Sequence, residues 1–179
     1  MSTDPLVALL REKSVKTGEF TLASGKKSDF YVDARQTTLH AVGAKLVAER
    51  ILAMLHDDVV AVGGLTMGAD PVACSVAAHS TLIGRPVHAF LIRKEAKGHG
   101  MGHYCEGLAN VPKGSRVAIL EDTTTTGGSL LLACERAEAE GLVVAQCITV
   151  VDRQEGADAR IAKAGYTLES LTDRTQLLG

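Results

Sequence analysis

Apolar residues recur in two patterns along this chain. Short, mostly apolar runs occupy residues 59–62, 87–92, 117–120 and 143–151. Runs of that length between polar turns predict strands buried on both faces. Between them, apolar positions fall at helical spacing. Asp4-Pro5 supplies an N-cap acceptor and then proline at the first helical position, and Leu6, Leu9 and Leu10 follow on one face. A second helix is expected over residues 41–55, with Val42, Leu46, Ile51 and Leu55 on its apolar side. Asp70-Pro71 opens a third, residues 128–140 form a fourth stopped by Gly141, and residues 157–164 form a short fifth. Residues 20–32 mix strand formers with Ser24-Gly25 and predict a small hairpin. Strands alternating with helices predict an α/β fold, a mostly parallel central sheet with helices on both faces. Ligands of such sheets sit at the carboxyl ends of strands.

At 179 residues the chain is expected to form a single domain over 1–179. A net charge of −2 provides no overall field for nucleic acid, so no such partner is expected. Charge is local instead: Arg93, Lys94 and Lys97 crowd together, and Glu121 and Asp122 form an acidic step. Cys74, Cys105, Cys134 and Cys147 include no Cys-x-x-Cys pair, which predicts reduced, mostly buried thiols rather than a zinc site or disulfide framework. No run approaches the roughly 18 apolar residues of a membrane span, and the first four residues carry no signal-like pattern. A cytoplasmic protein without a membrane partner is expected.

The strongest chemical signal follows the apolar run 117–120: Glu121, Asp122, then Thr123, Thr124, Thr125, Thr126, Gly127, Gly128 and Ser129, then a helix. Glycine lets a ligand approach the backbone, hydroxyls add donors, and a helix start offers unpaired N–H groups with partial positive charge. Together they suit a phosphate monoester. The two carboxylates suit sugar hydroxyls or a magnesium-bound diphosphate. The spacing is neither a P-loop nor a dinucleotide fingerprint; an acid-capped, solvent-exposed turn is the plain alternative. A second signal is the run from Arg93 to Gly100, with Lys94, Lys97 and His99 set among glycines. A solvated basic loop is its plain alternative; a loop that closes over a polyanion is the functional one.

The first segment resembles the signature of type I phosphoribosyltransferases, enzymes that use phosphoribosyl diphosphate (PRPP). The second resembles the Arg-Lys-x-x-Lys-x-His-Gly loop of the orotate phosphoribosyltransferases, and its fixed positions all match. The resemblance runs from about Thr17 to Asp173. It implies the type I fold with a small N-terminal hood at about 17–35. By it, Arg93, Lys94, Lys97, His99, Glu121, Asp122 and the residues from Thr123 to Ser129 bind PRPP. Lys97, His99 and Asp122 are then catalytic, and Thr125 and Arg153 bind orotate. The family commonly has two aspartates where this chain has Glu121 and Asp122. It also implies magnesium held mainly by the substrate, with no protein ligand assigned, and a homodimer that shares the loop 94–107 between sites. Some members carry lysine before the Ser-Gly pair, where this chain has Ala23; Lys26 is the candidate substitute. The segment from Gly63 to Pro71 resembles the diphosphate loop but lacks the lysine some members place near Gly68. The open alternatives are transfer to a purine or to uracil, and a PRPP-sensing regulator without catalysis.

Overall fold

A computed structural model describes residues 4–21, 27–95 and 103–179. The hairpin pairs β1 (Val15–Thr21) antiparallel to β2 (Lys27–Val32). It begins earlier than expected, and the Ser24-Gly25 turn lies outside the described residues. The main sheet contains β3 (Ala61–Leu65), β4 (His88–Ile92), β5 (Cys105–Glu106), β6 (Arg116–Thr124), β7 (Val143–Asp152) and β8 (Leu168–Asp173). Its order is β5-β4-β3-β6-β7-β8, all parallel except β5, which runs against β4.

Helices cover both faces. Helices α1 (Pro5–Lys13), α3 (Ala41–Met54) and α4 (Ala69–Ser80) pack with Ala118, Leu120 and Ile148. Helices α5 (Gly128–Ala139) and α6 (Ala157–Lys163) pack with Val117, Ile119 and Cys147. The split follows the two-residue period of a strand: successive residues of β6 enter opposite cores. Short helices α2 (Arg35–Thr38) and α7 (Arg174–Leu178) complete the first layer. Among the described residues no helix is long and apolar enough to cross a membrane.

Several sequence expectations are corrected. The buried stripe of α3 is Gly43, Val47, Ala48, Ile51 and Leu52, while Val42 is 54 % exposed. The stripe passes through a glycine because the helix presses on α2: a Cβ at Gly43 would lie 2.1 Å from the Thr37 carbonyl oxygen. The first strand of the sheet begins at Ala61 and runs through Gly63-Gly64. Glycine is a poor strand former, but a Cβ at Gly64 would lie 2.1 Å from the Leu120 carbonyl oxygen, so close strand packing requires it. The strand after Arg116 continues through Glu121 to Thr124, polar residues that the apolar run did not include. Of the cysteines only Cys134 and Cys147 are buried; Cys74 is exposed and Cys105 intermediate, and all four are free thiols.

Candidate active site

The parallel strands deliver their carboxyl ends to one edge of the sheet. A cleft of about 240 Å³ opens there, bordered by Glu121 and Asp122 from β6, Met67 and Gly68 after β3, Lys94 after β4, and Asp33 and Arg35 from the hood junction. A second cavity of about 190 Å³ shares Glu121, Thr123 and Ser129 with it and adds Thr125, Thr126, Gly127 and Gly128. Gly127 precedes α5 with φ +75°, a left-handed conformation that favours glycine, and no side chain among the described residues caps the helix. The first N–H groups of α5 therefore face the cavity end without an internal acceptor, the arrangement that suits an anion.

The acidic step is poised rather than simply charged. Burial, and then the neighbouring Asp122, push the Glu121 carboxyl up to about 7, against Lys94 and the Ser129 hydroxyl. Burial also raises Asp122, opposed by the Thr123 N–H at 2.8 Å and by Arg35. Gly68 permits this crowding, since a Cβ there would lie 2.4 Å from Asp122 Oδ1. Asp33 holds Arg35 through a 2.9 Å contact to Nε. Arg35 and Gly68 were not singled out from the sequence as site residues, although Arg35 ends the segment expected to form the hood.

The raised Glu121 makes a stability prediction. A carboxyl whose folded-state value is raised keeps its proton in the folded protein after the unfolded chain has lost it. Stability therefore falls as pH rises from about 4.5 to about 7 and stays lower above that. At about 1.36 kcal/mol per unit, the penalty is of the order of 3 kcal/mol. Glu121→Gln should remove that fall, gaining about 1–3 kcal/mol relative to the parent on going from pH 4 to pH 8. Denaturant midpoints measured across this window test it, and parallel profiles for the two proteins would refute it.

Arg153 stands just beyond β7. Its N–H donates to the Thr124 carbonyl at 2.9 Å, which ties it to the end of β6. The Asp152 carboxylate accepts the Gln154 N–H at 2.8 Å, and Gln154 takes φ +55°, closing a tight turn around Arg153. The side chain is buried at 6 % exposure. Nη2 lies 2.8 Å from Glu155 Oε1, but without hydrogen-bond alignment: neither Nε nor Nη2 has a hydrogen-bond partner among the described residues. Its guanidinium carbon is 5.8 Å from the centre of the Phe30 ring, on β2 of the hood. Glu155 balances the charge of this buried guanidinium, and its Nε and Nη2 remain without an aligned acceptor, donors that a bound carboxylate would satisfy.

The other expected site residues divide as follows. Lys94 borders the cleft, whereas Arg93 pairs with Glu106 at 2.9 Å. Thr123, Thr125, Thr126, Gly127, Gly128 and Ser129 line the cradle. Thr124 borders neither cavity and is buried, its hydroxyl without a hydrogen-bond partner among the described residues. Lys26, Lys97 and His99 lie outside the described residues.

Comparison with known proteins decides the family. No family model matches the chain. The orotate phosphoribosyltransferase of Nostoc sp. is 42 % identical over 180 residues, covering 97 % of this chain and 87 % of that protein. The Corynebacterium glutamicum enzyme of the same name is 45 % identical over 173 residues, covering 96 % and 91 %. The chain belongs to the orotate phosphoribosyltransferase family. Orotate phosphoribosyltransferases are pentosyltransferases, and the chain is therefore an enzyme of that class. The crystal structure of the Mycobacterium tuberculosis orotate phosphoribosyltransferase in complex with PRPP superposes with a TM-score of 0.81 at 36 % identity, covering 97 % of each chain. The type I phosphoribosyltransferase fold and its parallel sheet are thus the family's.

Proposed function

We propose that the chain transfers the 5-phosphoribosyl group of PRPP to orotate, giving orotidine 5'-phosphate and diphosphate, in pyrimidine biosynthesis. The observation that carries this is the pairing of an uncapped helix start beside Glu121 and Asp122 with a buried, under-bonded Arg153 across the end of the same sheet.

In this reading the N–H groups of Gly127, Gly128 and Ser129, with the hydroxyls of Thr125 and Thr126, bind the 5-phosphate. Glu121 and Asp122 accept hydrogen bonds from the two ribose hydroxyls. The bond from the anomeric carbon to the diphosphate oxygen breaks and its electron pair leaves with the diphosphate; orotate N1 gives up its N–H proton to solvent or to the departing diphosphate and forms the new bond with the electron pair that remains. Lys94, Lys97 and His99 stabilise the negative charge on the departing diphosphate, while Arg93, paired with Glu106, holds the stem before them, and His99 supplies a hydrogen bond or a proton to the diphosphate. Arg153 holds the orotate carboxylate, with Thr125 as a further contact, and Lys26 serves the hood side of PRPP. The residues fit magnesium held mainly by the substrate, since Glu121 and Asp122 place hard oxygen atoms beside the cleft that would take the diphosphate. When bound, the ion supplies positive charge to the diphosphate.

The proposal extends to a cytoplasmic homodimer of single-domain chains that share the loop 94–107: its part with Lys97 and His99 serves the partner's site, while Lys94 stays at its own cleft. The test is a base panel with PRPP and magnesium, read as diphosphate release. Orotate should be consumed at least about a hundredfold faster than uracil, adenine or hypoxanthine, since sites built to pair a polar group reject analogues that lack it. Equal turnover of uracil would refute the assignment of orotate. No turnover of any base, with PRPP still bound, would point to a sensor.

A further inference from the structure

We propose that Arg136 is a positioning residue for phosphoribosyl transfer: it clamps both stems of the cationic segment and so presents Lys94 to the acidic step. Arg136 lies in the last turn of α5. Its Nη1 donates to the Arg93 carbonyl and its Nη2 to the Lys94 carbonyl, at 3.1 Å for the latter. On the returning stem, the same guanidinium stacks 4.0 Å from the centre of the Tyr104 ring. One planar group thus holds successive carbonyls of one stem with its edge and an aromatic ring of the other with its face. A guanidinium can do both at once, whereas an ammonium has neither the fork nor the flat face.

The stems are also paired to each other. The Arg93 N–H donates to the Tyr104 carbonyl at 2.8 Å, and Ile92 pairs with Cys105 in the β4–β5 ladder. Arg93 spends its own side chain on Glu106, which leaves Lys94 as the stem cation bordering the cleft. Lys94 acts on Glu121, opposing the rise in its carboxyl. Arg136 grips the main chain of Lys94 from outside the cleft, so the side chain is aimed inward without Arg136 bordering either cavity. The helix adds rigidity. α5 begins at the cradle with Gly128 and carries Arg136 two turns later, about 12 Å along its axis. Phosphate cradle and stem clamp therefore share one element, and the distance between cradle and Lys94 is set by it.

This rests on the phosphoribosyl-transfer reading, and the experiment keeps the two apart. Arg136→Ala should raise KM for PRPP about tenfold or more, the scale of a lost charge-assisted hydrogen bond, with KM for orotate nearly unchanged. Arg136→Lys should stay defective although it keeps the charge. In a Lys94→Ala background, Arg136→Ala should cost less than about twofold more, because the two act through one path. Independently of activity, amide exchange in the unliganded Arg136→Ala protein should rise at residues 93–95 and 103–106 and not at 123–129. If Arg136→Ala does not fold, Arg136→Gln takes its place in each measurement. Full rescue by lysine, an undiminished effect in the Lys94→Ala background, or unchanged stem exchange would each overturn the clamp. If the unsubstituted enzyme transfers nothing to orotate, the transfer reading fails, while the exchange comparison still decides whether Arg136 holds the stems.

Discussion

Arg153→Ala is expected to lower kcat/KM for orotate by about two to four orders of magnitude, with KM for PRPP kept within about threefold. The size follows from the proposed contact. A guanidinium fork on a carboxylate makes two charge-assisted hydrogen bonds of about 1.5–3 kcal/mol each, and about 1.4 kcal/mol is a factor of ten. The site makes the loss large, because Arg153 is buried and two of its nitrogens lack aligned acceptors. Glu155 adds to it. Its carboxylate lies 2.8 Å from Arg153, so removing the arginine leaves an uncompensated negative charge where an anionic base must bind. Arg153→Lys should recover only a small part of the loss, since a point charge cannot reproduce the fork. PRPP should be spared because its proposed contacts lie on β6, the start of α5, the segment after β4 and the hood, and Arg153 is not one of them. Steady-state kinetics with each substrate varied in turn check this. A rise in KM for PRPP with orotate unaffected would put Arg153 in the wrong half of the site.

Local chemistry was legible in the sequence, and non-local chemistry was not. The residues from Glu121 to Ser129 form a cradle because they are consecutive: strand end, turn and helix start are each a local property, and their order alone predicts an anion site. Arg153 was legible as a strand-end arginine, but not as a buried one; its burial depends on Phe30 from the hood and on the turn closed by Asp152. Arg136 was invisible. It reads as one more charge on an amphipathic helix, and its role depends on carbonyls 43 and 42 residues away. The fold shows the same division. The apolar runs located the central strands, whereas β8, with the polar sequence Leu-Glu-Ser-Leu-Thr-Asp, was missed because an edge strand need not be apolar throughout. The glycines of β3 count against a strand by propensity, and only the carbonyls of Phe90 and Leu120 beside them explain why nothing larger fits.

Mixing two inactive homodimers, Lys97→Ala and Asp122→Asn, is expected to restore about one quarter of wild-type sites. The proposed sharing of loop 94–107 dictates this. Asp122 is fixed at the end of β6 by its bond from the Thr123 N–H and by the close approach of Gly68, so it serves its own subunit's cleft. Lys97, if it acts in the partner's cleft, serves the other. A mixed dimer then has one site with both lesions and one with neither. Random exchange of equal amounts makes half of the dimers mixed, and each contributes one intact site of two, as the closed two-fold symmetry of a homodimer requires. If Lys97 serves its own subunit, every site in every dimer keeps one lesion and no activity returns. Native mass measurement establishes that mixed dimers have formed, and diphosphate release then discriminates. The restored sites should show the parent KM for PRPP, because each contains an unaltered cradle, Asp122 and Lys97. Restored activity with an altered KM would mean that the substituted subunit still reaches the intact site by another route, and absent activity in confirmed mixed dimers would end the shared-loop proposal while leaving the family assignment untouched.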